Sequence, residues 1–198
     1  MLWGSISGQL SKENKKFIYG LVKEGARARE YEMALLWLND CGLAYKVQRV
    51  SSPKLPLKGY EDIKAFKLFM LDVGLLSCMA GLKRRTLLEG NRLFSEFKGA
   101  LTEQFVFQQL KTIKGLGIHY WTNERGMAEI DFLVDNGEDV FPVEVKAEKN
   151  LKAKSLKAYR ERFVTPLAVR VSMADYREEE GLVNVPLYGL NGYFSRLA

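Results

Sequence analysis

The chain is short of the residues that build metal and redox sites from nitrogen and sulfur. It holds two cysteines, Cys41 and Cys78, and one histidine, His119. With no CxxC pair and no cluster of histidines, a His- or Cys-rich zinc site is excluded, so any metal here is expected to be held by oxygen. Both cysteines stand among apolar neighbours, which predicts reduced core thiols in a cytoplasmic protein rather than a disulfide framework. Met1 leads into a polar stretch that lacks the apolar core of a secretory signal. The longest apolar run, residues 66–82, contains Lys67 and Asp72 and is too short to cross a bilayer comfortably, so no membrane partner is expected. No GxxxxGK[S/T] string occurs, which excludes ATP binding through a P-loop within this chain. Internal repeats and low-complexity segments are also lacking.

What remains is an ordinary globular composition. At 198 residues, 47% hydrophobic and 27% charged, the chain has material for one domain or two small ones with a conventional core. The net charge of +6 is uneven. Residues 1–98 carry 17 Lys and Arg against 10 Asp and Glu, or +7, whereas residues 99–198 carry 13 against 14, or −1. This asymmetry points to an anionic partner for the first half and a carboxylate-bearing site in the second. The plain alternative is a mixed-charge surface.

In the first half, Ser11 reads as the N-cap of a helix ending at Gly25, with Phe17, Ile18, Leu21 and Val22 inward. A second helix over 27–41 follows the 3.6 period of Tyr31, Ala34, Leu35, Leu38 and Cys41, and Gly42 stops it. An alternating strand, Leu43–Val50, is broken by the turn-rich SSPKLPLKG and resumed by Ala65–Leu71. Helix, helix, strand, loop, strand is the order of a winged helix-turn-helix. In that setting Arg27 and Arg29 would meet phosphates from the second helix, and Lys54 and Lys58 would lie in the wing. Winged helices also serve as protein-binding modules. Asp72 opens a helical connector carrying Lys83, Arg84 and Arg85. The expected division is 1–75 for the winged-helix-like segment, 76–98 for the connector and 99–198 for the remainder.

From Glu96 onward the pattern becomes helix, three strands, helix, strand. Helix Ala100–Lys114 has an apolar stripe at Ala100, Phe107 and Leu110, and Glu103 lies on that stripe. A carboxylate on a buried helix face is costly unless it is paired or metal-bound. Strands Ile118–Thr122, Ala128–Val134 and Val140–Lys146 follow, the last two joined by a hairpin turn at Asn136-Gly137. Asn150 caps a basic helix, Leu151–Phe163, and further strands are expected at Thr165–Val171 and Leu182–Tyr188.

E-x-K occurs at Glu13-Lys15, Glu96-Lys98 and Glu144-Lys146, so the string alone carries little. The third copy differs by its place. Strand alternation turns Phe141, Val143 and Val145 one way and Glu144 and Lys146 the other. On the preceding strand Ile130, Phe132 and Val134 share a face, opposite Glu129 and Asp131. A hairpin that aligns the polar faces brings Asp131, Glu144 and Lys146 together, with Glu103 reaching in from the helix. Two or three carboxylates suit Mg²⁺ or Mn²⁺, which keeps waters and takes a phosphate oxygen. Lys146 supplies a compact cation for the transition state. The alternative is an exposed hairpin with a surface Glu–Lys pair. His119 reads as structural, and Tyr120 and Trp121 as core. Lys152, Lys154, Lys157 and Arg160 form either a solvated helix face or an approach for a phosphate backbone.

The order Glu103, Asp131, Glu144-x-Lys146 on helix, strand and strand resembles the PD-(D/E)XK nuclease superfamily. More widely, residues 5–198 resemble the C-terminal part of prokaryotic AAA+ family ATPases that carry the domain of unknown function 4143. The strings that carry this likeness are KENKKFIYGLVKEGARAREYEMALLWLNDCGL, FKLFMLDVGLL, KGALTEQFVFQQL, EIDFLVD and PVEVKAEKNLKAKSLKAY. The resemblance implies an α+β or α/β fold, with a winged-helix-like segment followed by a restriction-endonuclease-like αβββαβ core. It also implies a nuclease motif at Glu103, Asp131, Glu144 and Lys146, with DNA as the partner and an AAA+ ATPase acting in cis or in trans. Two departures stand out: no ATPase motif is present, and Ile130 occupies the position of the proline that names the superfamily.

Overall fold

The structure is a computed structural model that describes residues 1–10, 16–83, 92–123, 128–147 and 154–198. Ser11, Arg84, Arg85, Asn150 and Lys152, singled out above, lie outside these residues. The described elements form a mixed α+β fold of six α-helices and one mixed eight-stranded sheet. The helices are α1 (Leu2–Leu10), α2 (Ala28–Asp40), α3 (Val73–Met79), α4 (Arg92–Lys111), α5 (Lys154–Arg162) and α6 (Leu190–Phe194). The strands are β1 (Ala44–Val50), β2 (Glu61–Met70), β3 (Gly117–Thr122), β4 (Glu129–Asp135), β5 (Val140–Val145), β6 (Ala168–Ser172), β7 (Arg177–Glu179) and β8 (Leu182–Pro186). Their order across the sheet is β2-β1-β3-β4-β5-β6-β8-β7. The chain divides into two compact units, Met1–Val47 with Ala65–Phe105, and Gln48–Lys64 with Val106–Ala198.

In the first unit Leu2, Ile6 and Leu10 recur at helical spacing and bury one face of α1. They join Leu35, Leu38, Phe66, Leu68, Met70 and Leu76 in one apolar core. The helix expected to end at Gly25 does not form over the described part of its span. Lys16 instead makes an antiparallel bridge to Lys67, Phe17 N–H donates to the Phe66 carbonyl (2.8 Å), and only Tyr19–Leu21 winds into a 3₁₀ turn. Phe17 then stacks on Phe66 with centroids 5.4 Å apart. An open sheet edge captured this segment, because β2 is the outermost strand and its backbone groups need partners. The second helix agrees with expectation, and Gly42 follows it at φ +73°. Asp72 caps α3 by accepting the Leu75 N–H (2.7 Å). Cys41 and Cys78 are free thiols, but both are exposed rather than in the core. Each follows the last inward residue of its helix closely enough that the apolar neighbourhood in sequence is not its neighbourhood in space.

In the second unit β3, β4 and β5 form an antiparallel meander, and β5, β6 and β8 run parallel. Asn136 fixes the β4–β5 turn, its Oδ1 accepting the N–H groups of Glu138 (3.0 Å) and Asp139 (2.8 Å), with Gly137 at φ +90°. That turn sets Asp135 opposite Val140 and Phe132 opposite Val143. The expected order of helix, three strands, helix, strand is thus present as α4, β3, β4, β5, α5, β6. Beyond it lie β7 and α6, which were not expected. Helix α5 is held by Leu156 and Tyr159, the Tyr159 ring meeting Trp121 edge-on at 5.4 Å. Tyr120 and Trp121 are both core residues.

Candidate functional site

The site is built where β4 and β5 leave off pairing. Their ladder runs from the turn as far as Phe132↔Val143. One step further in the same register stand Asp131 and Glu144, side by side on adjacent strands. There the Asp131 side chain enters the backbone pattern, Oδ2 accepting the Val145 N–H at 2.8 Å. On its other side β5 continues into β6, with Lys146 N–H donating to the Val171 carbonyl (2.8 Å). Held from both sides, the Glu144-Val145-Lys146 segment is fixed in backbone. The Lys146 ammonium donates to Glu144 Oε1 at 2.6 Å. Glu144 is buried at 6% exposure, so this is not the solvated surface pair of the alternative reading. A carboxylate so far removed from water keeps its charge only with such a cation close by.

A polar row continues across the sheet. Glu144 is in register with Arg170 on β6, and Arg170 with Asn184 on β8. All three are buried. Arg170 Nε donates to Asn184 Oδ1 (3.0 Å), and Arg170 Nη2 lies 3.5 Å from Glu179 Oε1. Ser172 Oγ donates to the same Asn184 oxygen (2.8 Å), while Asn184 Nδ2 donates to the carbonyls of Ala174 and Asp175. Sequence reasoning passed over Arg170 and Asn184, yet the signal was present. A lone Arg in Ala-Val-Arg-Val-Ser and a lone Asn in Leu-Val-Asn-Val-Pro are polar residues at the centres of otherwise apolar strands.

The other expected residues are placed as follows. Glu103 is buried in the first unit, where its Oε2 lies 3.8 Å from the ammonium of the fully buried Lys67. The carboxylate on the apolar stripe therefore has a cationic neighbour, Lys67, itself an interruption in an apolar strand. His119 is structural in its contacts: Nε2 lies 2.9 Å from Glu61 Oε1 and Nδ1 3.9 Å from Asp135 Oδ2. Gly117 leaves room there, since a Cβ at that position would run into the Asp135 carboxylate. Arg27 and Arg29 are exposed in the first unit; Lys54, Lys58, Lys154 and Lys157 are exposed in the second. Lys157 lies 4.0 Å from Glu161 one turn on.

Asp131 and Glu144 offer hard oxygen donors, which fits Mg²⁺ or Mn²⁺, ions often bound through one or two carboxylates with water and substrate oxygens completing the shell. Among the described residues no group of three or more Asp, Glu, His or Cys is placed to hold a metal ion. The fit is therefore to a two-carboxylate site. No helix among the described residues is long and apolar enough to cross a membrane.

Comparison with known families agrees with part of the expected relationship. Residues 98–190 match the family described as Domain of unknown function (DUF4143). Residues 1–86 match a second, described as Domain of unknown function (DUF8612). No curated protein and no solved structure matches the chain.

Proposed function

We propose that the second unit is a nuclease-like module acting on the phosphodiester backbone of DNA. The observation that supports this reading best is the junction of Asp131, Glu144 and Lys146, two neighbouring carboxylates with an ammonium on one of them. The helix, three-strand, helix, strand order is that of a restriction-endonuclease-like core, to which the PD-(D/E)XK resemblance also points. In this reading Asp131 and Glu144 hold Mg²⁺ or Mn²⁺, which when bound supplies Lewis acidity toward the phosphate and an acidified water. Asp131 is oriented by the Val145 N–H. Lys146 holds Glu144 in its charged form and offers its remaining N–H donors toward an anionic substrate. Glu103 enters the reading through the resemblance alone; in the first unit its carboxylate lies beside Lys67. The exposed Lys54, Lys58, Lys154 and Lys157 would contact phosphates, and an AAA+ motor in cis or in trans belongs to the reading through resemblance alone.

One observation favours a second reading for the first unit, a protein-binding rather than DNA-binding winged-helix-like segment. The exposed charged residues of α2 are Arg29, Glu30, Glu32 and Asp40, and between them stand exposed Met33, Leu36 and Trp37. An acidic and apolar helix face is poorly matched to phosphate.

The decisive assay is nicking of supercoiled plasmid with Mg²⁺ or Mn²⁺, comparing wild type with Asp131→Ala and Lys146→Ala. Metal-dependent nicking lost in both variants is expected; equal residual activity in all three proteins would sink the catalytic assignment. Thermal melting adds a second readout. Millimolar metal should raise the Tm of wild type and leave Asp131→Ala unmoved.

A further inference from the structure

Helix α2 buries Leu35 and Leu38 and turns the opposite side to solvent. On that side Arg29, Met33, Leu36 and Asp40 follow one another at spacings of four, three and four residues, the alternation that marks a helix–helix seam. Trp37 flanks the stripe. Met33 is 75% exposed, Trp37 66% and Leu36 44%, an unusual concentration of large apolar side chains on one short helix face.

The stripe is self-complementary. Read from its N-terminal end it runs cation, apolar, apolar, anion; read backwards it runs anion, apolar, apolar, cation. Arg29 and Asp40 are eleven residues apart, about 16 Å along the axis. An antiparallel second copy thus sets each Arg29 against the other chain's Asp40 and each Met33 against the other chain's Leu36, with the two Trp37 rings closing over the apolar centre. That is the symmetry an isologous two-fold interface demands, residue i on j and j on i. A parallel copy would oppose Arg to Arg. We propose that α2 is the seam of a homodimer, two copies of this chain pairing antiparallel through Arg29, Met33, Leu36, Trp37 and Asp40.

A seam of one short helix per chain is at the small end of specific interfaces, so the dimer is weak and dependent on concentration. Sedimentation velocity over a dilution series tests it, using Arg29→Glu, Asp40→Arg and Met33→Glu. Both charge swaps agree with the helix dipole, acid at the first turn and base at the last, so they do not weaken α2 itself. Wild type is expected to shift from monomer to dimer as concentration rises, and each charge variant alone should stay monomeric. Mixing the two charge variants should restore the dimer, because in the mixed pair one contact keeps its native Arg29 and Asp40 and the other carries the same two charges exchanged. Met33→Glu should abolish association, and no mixture should rescue it. A wild type that is monomeric throughout would overturn the proposal, as would a dimer that Met33→Glu leaves intact or charge variants that fail to associate when mixed.

Discussion

Gln104 offers the sharpest quantitative test of how the first unit is held together. It lies in α4 with no exposure to solvent, and its amide pairs with both backbone groups of Met70: Met70 N–H donates to Oε1 (2.9 Å) and Nε2 donates to the Met70 carbonyl (2.8 Å). Because β2 is the edge strand, this side chain stands where a neighbouring strand would be. Gln104→Met keeps the volume while stranding a buried N–H and a buried C=O. At about 1–3 kcal/mol for each unsatisfied group, the loss centres near ~4 kcal/mol. For a protein of this size that corresponds to a Tm lower by about 8–16 °C. Gln104→Ala removes one methylene as well, at about 0.8 kcal/mol before any cavity cost, bringing the loss to about 5 kcal/mol. Gln104→Glu keeps the acceptor for Met70 N–H but turns a carboxylate oxygen toward the carbonyl. Its deficit should equal or exceed that of Gln104→Met at neutral pH and shrink toward about pH 4, where a protonated carboxyl mimics the amide. Urea unfolding followed by circular dichroism measures all three. A Gln104→Met variant within ~0.5 kcal/mol of wild type would refute the argument that these two hydrogen bonds secure the edge.

Two further outcomes follow from buried polar groups. Glu103→Gln should cost about 3–5 kcal/mol in urea unfolding, because it removes the carboxylate charge beside the buried Lys67 ammonium, whereas Lys67→Met with Glu103→Leu should recover most of that loss; equal instability of single and double variants would contradict the pairing. Burial pushes the Tyr159 hydroxyl pKa above the ordinary 10.0, so below that pH folded and unfolded chains both hold the proton and no stability is lost. Above it the unfolded chain ionises first, and stability falls as pH rises; Tyr159→Phe should make the fall between about pH 10 and 11 shallower in thermal melts, although raised Tyr19 and Tyr193 still contribute, and an unchanged slope would count against it.

Much of the second unit was legible because its strands obey short-range rules. Period-two alternation isolated Asp131 and Glu144, and Asn136-Gly137 set the turn that places them side by side. The first unit was harder to read. Leu-Trp-Gly-Ser-Ile-Ser-Gly-Gln-Leu holds two glycines and two serines, so helix propensity argues against α1; burial of Leu2, Ile6 and Leu10 overrides it. Phe17 and Ile18 sit in a stretch whose apolar spacing suits a helix, yet a hydrogen bond to Phe66, far along the chain, decides its conformation. Strand β7 is three exposed charged residues and has no apolar signature at all. Glu103 was recognised as an anomaly on its helix. Its neighbour Lys67 was noted only as an interruption of an apolar run, although two opposite charges in apolar settings are each a reason to look for the other.

The path of the chain between the two units has a consequence for synthesis. Residues 48–64 belong to the second unit, although the first unit claims the chain on both sides of them, up to Phe105. As the polypeptide leaves the ribosome, the first unit has its full set of residues once Phe105 has emerged. The loop between β1 and β2 must then wait, with Val50 and Arg49 lacking β3, until Tyr120 and Trp121 appear. During that interval the nascent chain displays an unfinished strand edge, a period of vulnerability to misassociation that a chain with its units in simple succession would avoid. For the same reason a fragment limited to residues 98–190 would lack Glu61 beside His119 and the strand that covers β3. Any search for an autonomous second unit has to carry the 48–64 loop with it.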